Sequence, residues 1–205
     1  KRGQQGVDSV LDTVAKEHYG DSAPIARQAW AAFSAGFREY PYCGETLYDG
    51  PQHMGCANPL YDEPTKYHAT MVGIPYDDLN SWRGPYPADI WAGQMEKVRA
   101  GFEKGCALYR TMPSATAKQE WGMFKAAELH FASSINQVKF IQARDKNDRA
   151  AMKAIAAAEL ANAKAELPLV QADSRIGYEC SNHYFFIPQD LREKILCCRA
   201  IMDAK

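Results

Sequence analysis

Between Met71 and Pro87 the chain reads MVGIPYDDLNSWRGPYP, and six of these residues belong to types that a sugar site uses. Tyr76, Trp82 and Tyr86 each carry an aromatic ring, whose flat apolar face suits a pyranose. Asp77, Asp78 and Arg83 offer the charged hydrogen bonds that sugar hydroxyls take. The same residues also admit a structural account. PYDDL is a turn sequence in which either aspartate caps backbone N–H groups and Arg83 pairs with one of them. Glycoside hydrolysis sets two carboxylates roughly 5 to 9 Å apart. The side chains of adjacent residues diverge, so Asp77 and Asp78 do not form an acid and nucleophile pair.

Two further places carry polar groups among apolar ones. Glu128 shares a helical arc with Trp121, Phe124, Phe131 and Ile135, and Glu159 lies beside Met152, Ile155 and Ala163. A carboxylate on a core-facing stripe needs a partner or a raised pKa, and Arg144, Arg175 and His183 are the candidate partners. The alternatives are that both glutamates reach outward from the edge of the interface, that they make structural ion pairs, or that they do chemistry. The segment DSRIGYECSNHYFF places Glu179, Asn182 and His183 among aromatics. Within it, Asp173 and Arg175 can tie a turn together and Gly177 permits a tight path. A single histidine in such a setting is more often a packed hydrogen-bonding group than a catalyst. No Ser/His/Asp set, glycine-rich phosphate loop or metal-ligand cluster stands out, so no catalytic residue, metal or cofactor is assigned.

The elements that must position these groups read as helices. VDSVLDTVAKEHY makes a short first helix that Gly20 stops, and Asp21 or Ser22 can cap the next. That next helix spaces Ile25, Ala29, Trp30, Phe33 and Phe37 by three and four, and Tyr40 and Pro41 end it. After the loop, Pro87 opens a helix. Its stripe runs Trp91, Met95, Val98, Phe102, Cys106, Tyr109, the clearest in the chain. Pro113 ends it and Ser114 caps a longer helix over about Thr116–Arg144. That helix carries a second patch at Leu129, Asn136 and Phe140, the mark of a central helix with neighbours on both sides. An alanine-rich helix follows from Asp148 to about Leu167, with Pro168 expected to kink or end it. The last opens near Pro188 and buries Leu191, Ile195, Cys198 and Met202. No strand alternation persists. The fold class is an all-α bundle of about five or six helices.

Residues 41–87 hold seven of the chain's eleven prolines. A long stretch without regular structure is usually functional or disordered, but this one is too rich in aromatic and aliphatic residues for disorder. It reads as a long ordered loop that packs on the helices or on a partner.

The chain has 205 residues, a formal charge of −1 and six cysteines. It is long enough for one domain with a substantial core, taken as 1–205. The near-neutral balance argues against a nucleic-acid partner, and no apolar run approaches a membrane span. KRGQQGVDSV lacks the apolar core of a signal peptide and looks like an internal start, so the chain is expected to belong to a longer one. Cys106 and Cys198 fall on apolar faces as buried thiols. Cys43 and Cys56 flank one loop and could pair in an oxidising compartment.

The strings AWAAFSAGFREYPY, GPQHMGCANPLY, ATMVGIPYDDLNSWRGPYP, SSINQVKFIQARD and DSRIGYECSNHYFF span nearly the whole chain. Together they resemble the helical C-terminal part of large bacterial proteins related to glycoside hydrolases, of the α-glucuronidase and hexosaminidase style. The resemblance implies an accessory domain of a carbohydrate-active enzyme. It would pack on or border a catalytic barrel that precedes it, with the catalytic carboxylates on that barrel. The partners implied are that N-terminal catalytic domain and carbohydrate. The rival account is a self-contained helical module that binds carbohydrate or protein and catalyses nothing.

Overall fold

The structure, a computed structural model, describes residues 6–70, 75–178 and 186–204. Among them it forms seven α-helices and no strand. These are α1 (Val7–Tyr19), α2 (Ala23–Phe37), α3 (Gly44–Asp49), α4 (Ala88–Tyr109), α5 (Ala115–Asp145), α6 (Arg149–Ala172) and α7 (Pro188–Asp203). Six of them are long, and α3 has only 6 residues. This is the all-α bundle that the periodicity predicts.

Local chemistry sets most of the ends. Gly20 stops α1 at φ 56°, a left-handed conformation that costs glycine little. The Ser114 hydroxyl accepts from Ala117 N and starts α5, and Asp148 does the same for α6 through Ala151 N. At α7, Ile187 N donates to the Asp190 carboxylate at 2.8 Å. Two expectations change. Neither Asp21 nor Ser22 caps α2; residues Gly20–Ser22 instead form a 3₁₀ turn that runs into it. Pro168 does not end α6, which continues to Ala172. The proline removes one backbone donor, but the flanking Ala163, Glu166 and Val170 stay buried and hold the last turn in place.

α5 is the central element, with α4 on one side and α6 on the other, as its two apolar patches require. At 31 residues it spans about 46 Å. α2 packs closely on α4 because glycines face each other there. A Cβ added to Gly101 would stand 2.6 Å from the Gly36 Cα. α7 packs on α6.

The long loop is built, not idle. Besides α3 it holds 3₁₀ turns at Pro51–His53, Gly55–Ala57 and Leu79–Ser81. Tyr76 and Trp82 belong to the same core cluster as Trp91, Met95, Val98 and Phe131. Trp82 meets Trp91 edge to face, with ring centroids 5.0 Å apart. Three hydrogen bonds tie this aromatic knot together. Trp82 Nε1 donates to the Tyr76 carbonyl at 3.1 Å, Trp91 Nε1 to Thr46 Oγ1 at 3.0 Å, and Thr46 Oγ1 to the Trp82 carbonyl at 3.0 Å. Burying aromatic surface at roughly 25 cal/mol per Å² offsets the entropy of ordering the segment. No helix of the described residues is long and apolar enough to cross a membrane.

Candidate functional site

The loop is fastened to the C-terminal end of α5 by one buried ion pair. Arg144 Nη1 donates to Asp77 Oδ2 at 2.9 Å and Nη2 to the Asp77 carbonyl at 3.1 Å. Nη1 also lies 3.3 Å from the Tyr61 carbonyl. The Asp77 carboxylate further accepts from Thr65 N at 2.8 Å and Thr65 Oγ1 at 2.5 Å. Both charged side chains are 6% exposed. A pair this deep holds only when its remaining lone pairs and protons are matched, and here the two limbs of the loop and the helix supply the matches. Tyr76, immediately before, sits at φ 59°, uncommon for a bulky side chain.

Asp78 points elsewhere. It accepts from Asn80 N at 3.0 Å to start the Leu79–Ser81 turn, and its other oxygen lies 2.7 Å from His68 Nδ1. The two adjacent carboxylates therefore serve separate partners, as their divergence requires. Ser81 ties the limbs together, donating to the Asp78 carbonyl and accepting from Ala69 N. Arg83 is held by the Tyr86 carbonyl at 2.5 Å and Asn80 Oδ1 at 2.8 Å. It is not paired with either aspartate, which corrects one part of the turn account.

Above this clamp opens a cleft of about 760 Å³ between the loop and the end of α5. Lys66, His68, Asp78, Asn80, Arg83 and Asp145 supply its polar lining, and Leu79 and Ile141 its apolar lining. The arrangement offers closely spaced donors and acceptors to a ligand rich in hydroxyls or charge. Among the described residues, no group of three or more His, Cys, Asp or Glu side chains could hold a metal ion.

Of the residues singled out from the sequence, Asp77, Asp78 and Arg83 come together at this cleft. Tyr76 and Trp82 are 1% and 0% exposed. They are core residues with no free ring face, because the loop spends its largest rings on its own packing. Tyr86 is half-buried, and its hydroxyl donates to the Tyr42 carbonyl at 3.1 Å. Glu179, Asn182 and His183 lie outside the described residues, as does Cys180.

Glu128 and Glu159 are buried and do not reach outward from the edge of the interface. Neither pairs with Arg144 or Arg175, and His183 lies outside the described residues. Glu128 is bound by Lys125 at 2.5 Å, with Arg99 at 3.9 Å. Glu159 meets Lys194 at 2.7 Å, both side chains fully buried, and accepts from Ser133 at 2.6 Å, Asn136 at 2.8 Å and Asn162 at 3.0 Å. Burial alone would push the Glu159 carboxyl up; the Lys194 ammonium and the surrounding donors outweigh it and hold the pKa low. Burial likewise works against the Lys194 ammonium, and Glu159 reverses it. This is a structural pair joining α6 to α7, and Lys194 also reaches the Asn58 carbonyl in the loop. Arg175, a candidate partner for the two glutamates and so a candidate buried group, is instead 58% exposed and pairs with Asp173 in the turn the sequence suggests. That pairing and the Arg175 backbone N–H pull the Asp173 carboxyl down to about 2. The five described cysteines are free, so Cys43 and Cys56 are not bonded. Cys43 instead caps α3.

Sequence reasoning did not place Arg144, Lys66, His68, Asn80 and Asp145 at the site, and it missed Lys194. Lys194 had a signal: it sits between Leu191 and Cys198 on the apolar face of α7. It also missed a second buried pair. His130 Nε2 lies 2.7 Å from Glu166 Oε1 and its Nδ1 3.0 Å from the Gln52 carbonyl. Both ring nitrogens face acceptors, an arrangement that favours the doubly protonated ring.

Comparison with known protein families, with curated proteins and with solved structures finds no match to this chain.

Proposed function

We propose that the chain is a non-catalytic helical accessory domain of a carbohydrate-active enzyme, and that the cleft between the loop and α5 is its sugar-binding surface. The observation that carries this is the cleft's polar lining, with donors and acceptors of both charge signs held over a rigid clamp. Rigid placement lowers the ordering cost of binding. Two features of the carboxylates support an accessory over a catalytic role. Asp77, Glu128 and Glu159 are each committed to a cation. Asp78 is occupied by His68 and by its own turn. In this account the hydrolytic carboxylates belong to a barrel elsewhere in the full-length protein, which the domain borders.

The test uses His68→Ala and Asp145→Ala. Both side chains are mainly exposed at the cleft, and exposed pairs contribute about 0–1 kcal/mol. The variants should melt like the parent and bind glycans more weakly on an array. Turnover of aryl glycosides by this chain alone, lost in Glu128→Gln or Glu159→Gln, would replace the proposal with a catalytic one.

A further inference from the structure

We propose that the cleft selects sugars bearing an oxyanion, a carboxylate or a sulfate ester, and that Arg83 and Lys66 are the residues that read it. This rests on the cleft being a sugar site. The charges around it are unequally committed. Asp77 is neutralised by Arg144 within the clamp. Asp78 is engaged by His68 and by Asn80 N, and Asp145 shares the Arg144 charge with Asp77 through Nε. Arg83 differs: its guanidinium is oriented by two neutral acceptors, the Tyr86 carbonyl and the Asn80 amide oxygen. Two of its five N–H donors are used by these neutral acceptors, leaving three, with no carboxylate in ion-pair contact. Among the described residues neither Arg83 nor Lys66 has a carboxylate partner. Lys66 is exposed on the same cleft, with its backbone at φ 66°.

A guanidinium aimed without being neutralised is suited to a planar carboxylate or to two oxygens of a sulfate. Neutral hydroxyls would use only its hydrogen bonds, and the charge would go unanswered. The dominant discrimination should therefore be between charged and uncharged sugars.

The experiment is a glycan array of neutral, uronate-bearing and sulfated glycans, followed by calorimetry with the best binder of each class. The expected result is about tenfold or more tighter binding of an anionic glycan than of its neutral counterpart. That preference should shrink as salt rises from low to physiological strength. It should be levelled by Arg83→Gln combined with Lys66→Gln. Whether the uronate or the sulfated glycan leads identifies which oxyanion is read. Equal affinity for neutral and anionic glycans overturns this inference and leaves the sugar site standing, as does a preference that neither salt nor the double variant changes. Binding of no glycan class overturns both.

Discussion

Removing the Asp77 carboxylate tests the clamp that shapes the cleft. In Asp77→Ala the Arg144 guanidinium keeps its place at 6% exposure but loses its buried counter-charge, keeping only the exposed Asp145 carboxylate 3.2 Å from Nε, and Thr65 N and Oγ1 lose their acceptors. Breaking one side of a buried pair costs about 3–5 kcal/mol. Asp77→Asn is milder. Its amide oxygen can still accept from Arg144 and Thr65 N, and its NH₂ can donate to Thr65 Oγ1. The hydrogen bonds then survive and the charge alone is lost, a cost of about 1.5–3 kcal/mol. Arg144→Met in the Asp77→Ala background removes the stranded cation and should recover part of the loss. Urea unfolding of the parent, Asp77→Ala, Asp77→Asn, Arg144→Met and the double variant measures this as shifts in midpoint at constant slope. The single variants should couple by about 1–3 kcal/mol. Costs below about 1 kcal/mol for Asp77→Ala, or strict additivity with Arg144→Met, would show that the pair does not fasten the loop.

Other perturbations follow from the same packing. Lys194→Met strands Glu159 in the core and should cost about 3–5 kcal/mol by urea unfolding, with Glu159→Gln in the same chain recovering part of it. Gly101→Ala forces α2 and α4 apart, since its Cβ would stand 2.6 Å from the Gly36 Cα; the cost should be about 1–3 kcal/mol, read as a lower melting temperature. The His130 pair gives a pH dependence. Burial works against the charged ring, but Glu166 and the Gln52 carbonyl outweigh it and raise its pKa. A group with a raised folded pKa contributes its full stability below the unfolded value, about 6.5. That contribution is lost as pH rises through the folded value. Stability should therefore fall as pH rises above the unfolded value and through the raised folded one, and His130→Phe should remove that component of the fall; identical pH profiles for parent and variant would contradict the assignment.

The helices were legible wherever one periodic stripe met one neighbour. Trp91, Met95, Val98, Cys106 and Tyr109 are all buried as their spacing predicts, and Phe102 is half-buried. The two patches of α5 gave its central place for the same reason. What periodicity cannot supply is pairing between distant elements. Asp77 meets Arg144 across 67 residues, and Glu159 meets Lys194 across 35. Arg144 reads from the sequence as a possible partner for Glu128 or Glu159, yet its acid lies in the loop. The loop's composition showed that it must bury aromatic surface, but not which rings. Tyr76 and Trp82 went into the core because their main-chain and indole groups found partners there. That left charged and amide side chains to line the cleft.

The cleft's role is tested most directly by nuclear magnetic resonance titration of this chain with the tightest glycan from the array. Amide shifts should be concentrated at Lys66, His68, Asn80, Arg83 and Asp145 and should saturate together with a single affinity. Saturable binding whose shifts fall on another face of the bundle, or the absence of any shift across the full glycan panel, would contradict the assignment of this cleft as a sugar site.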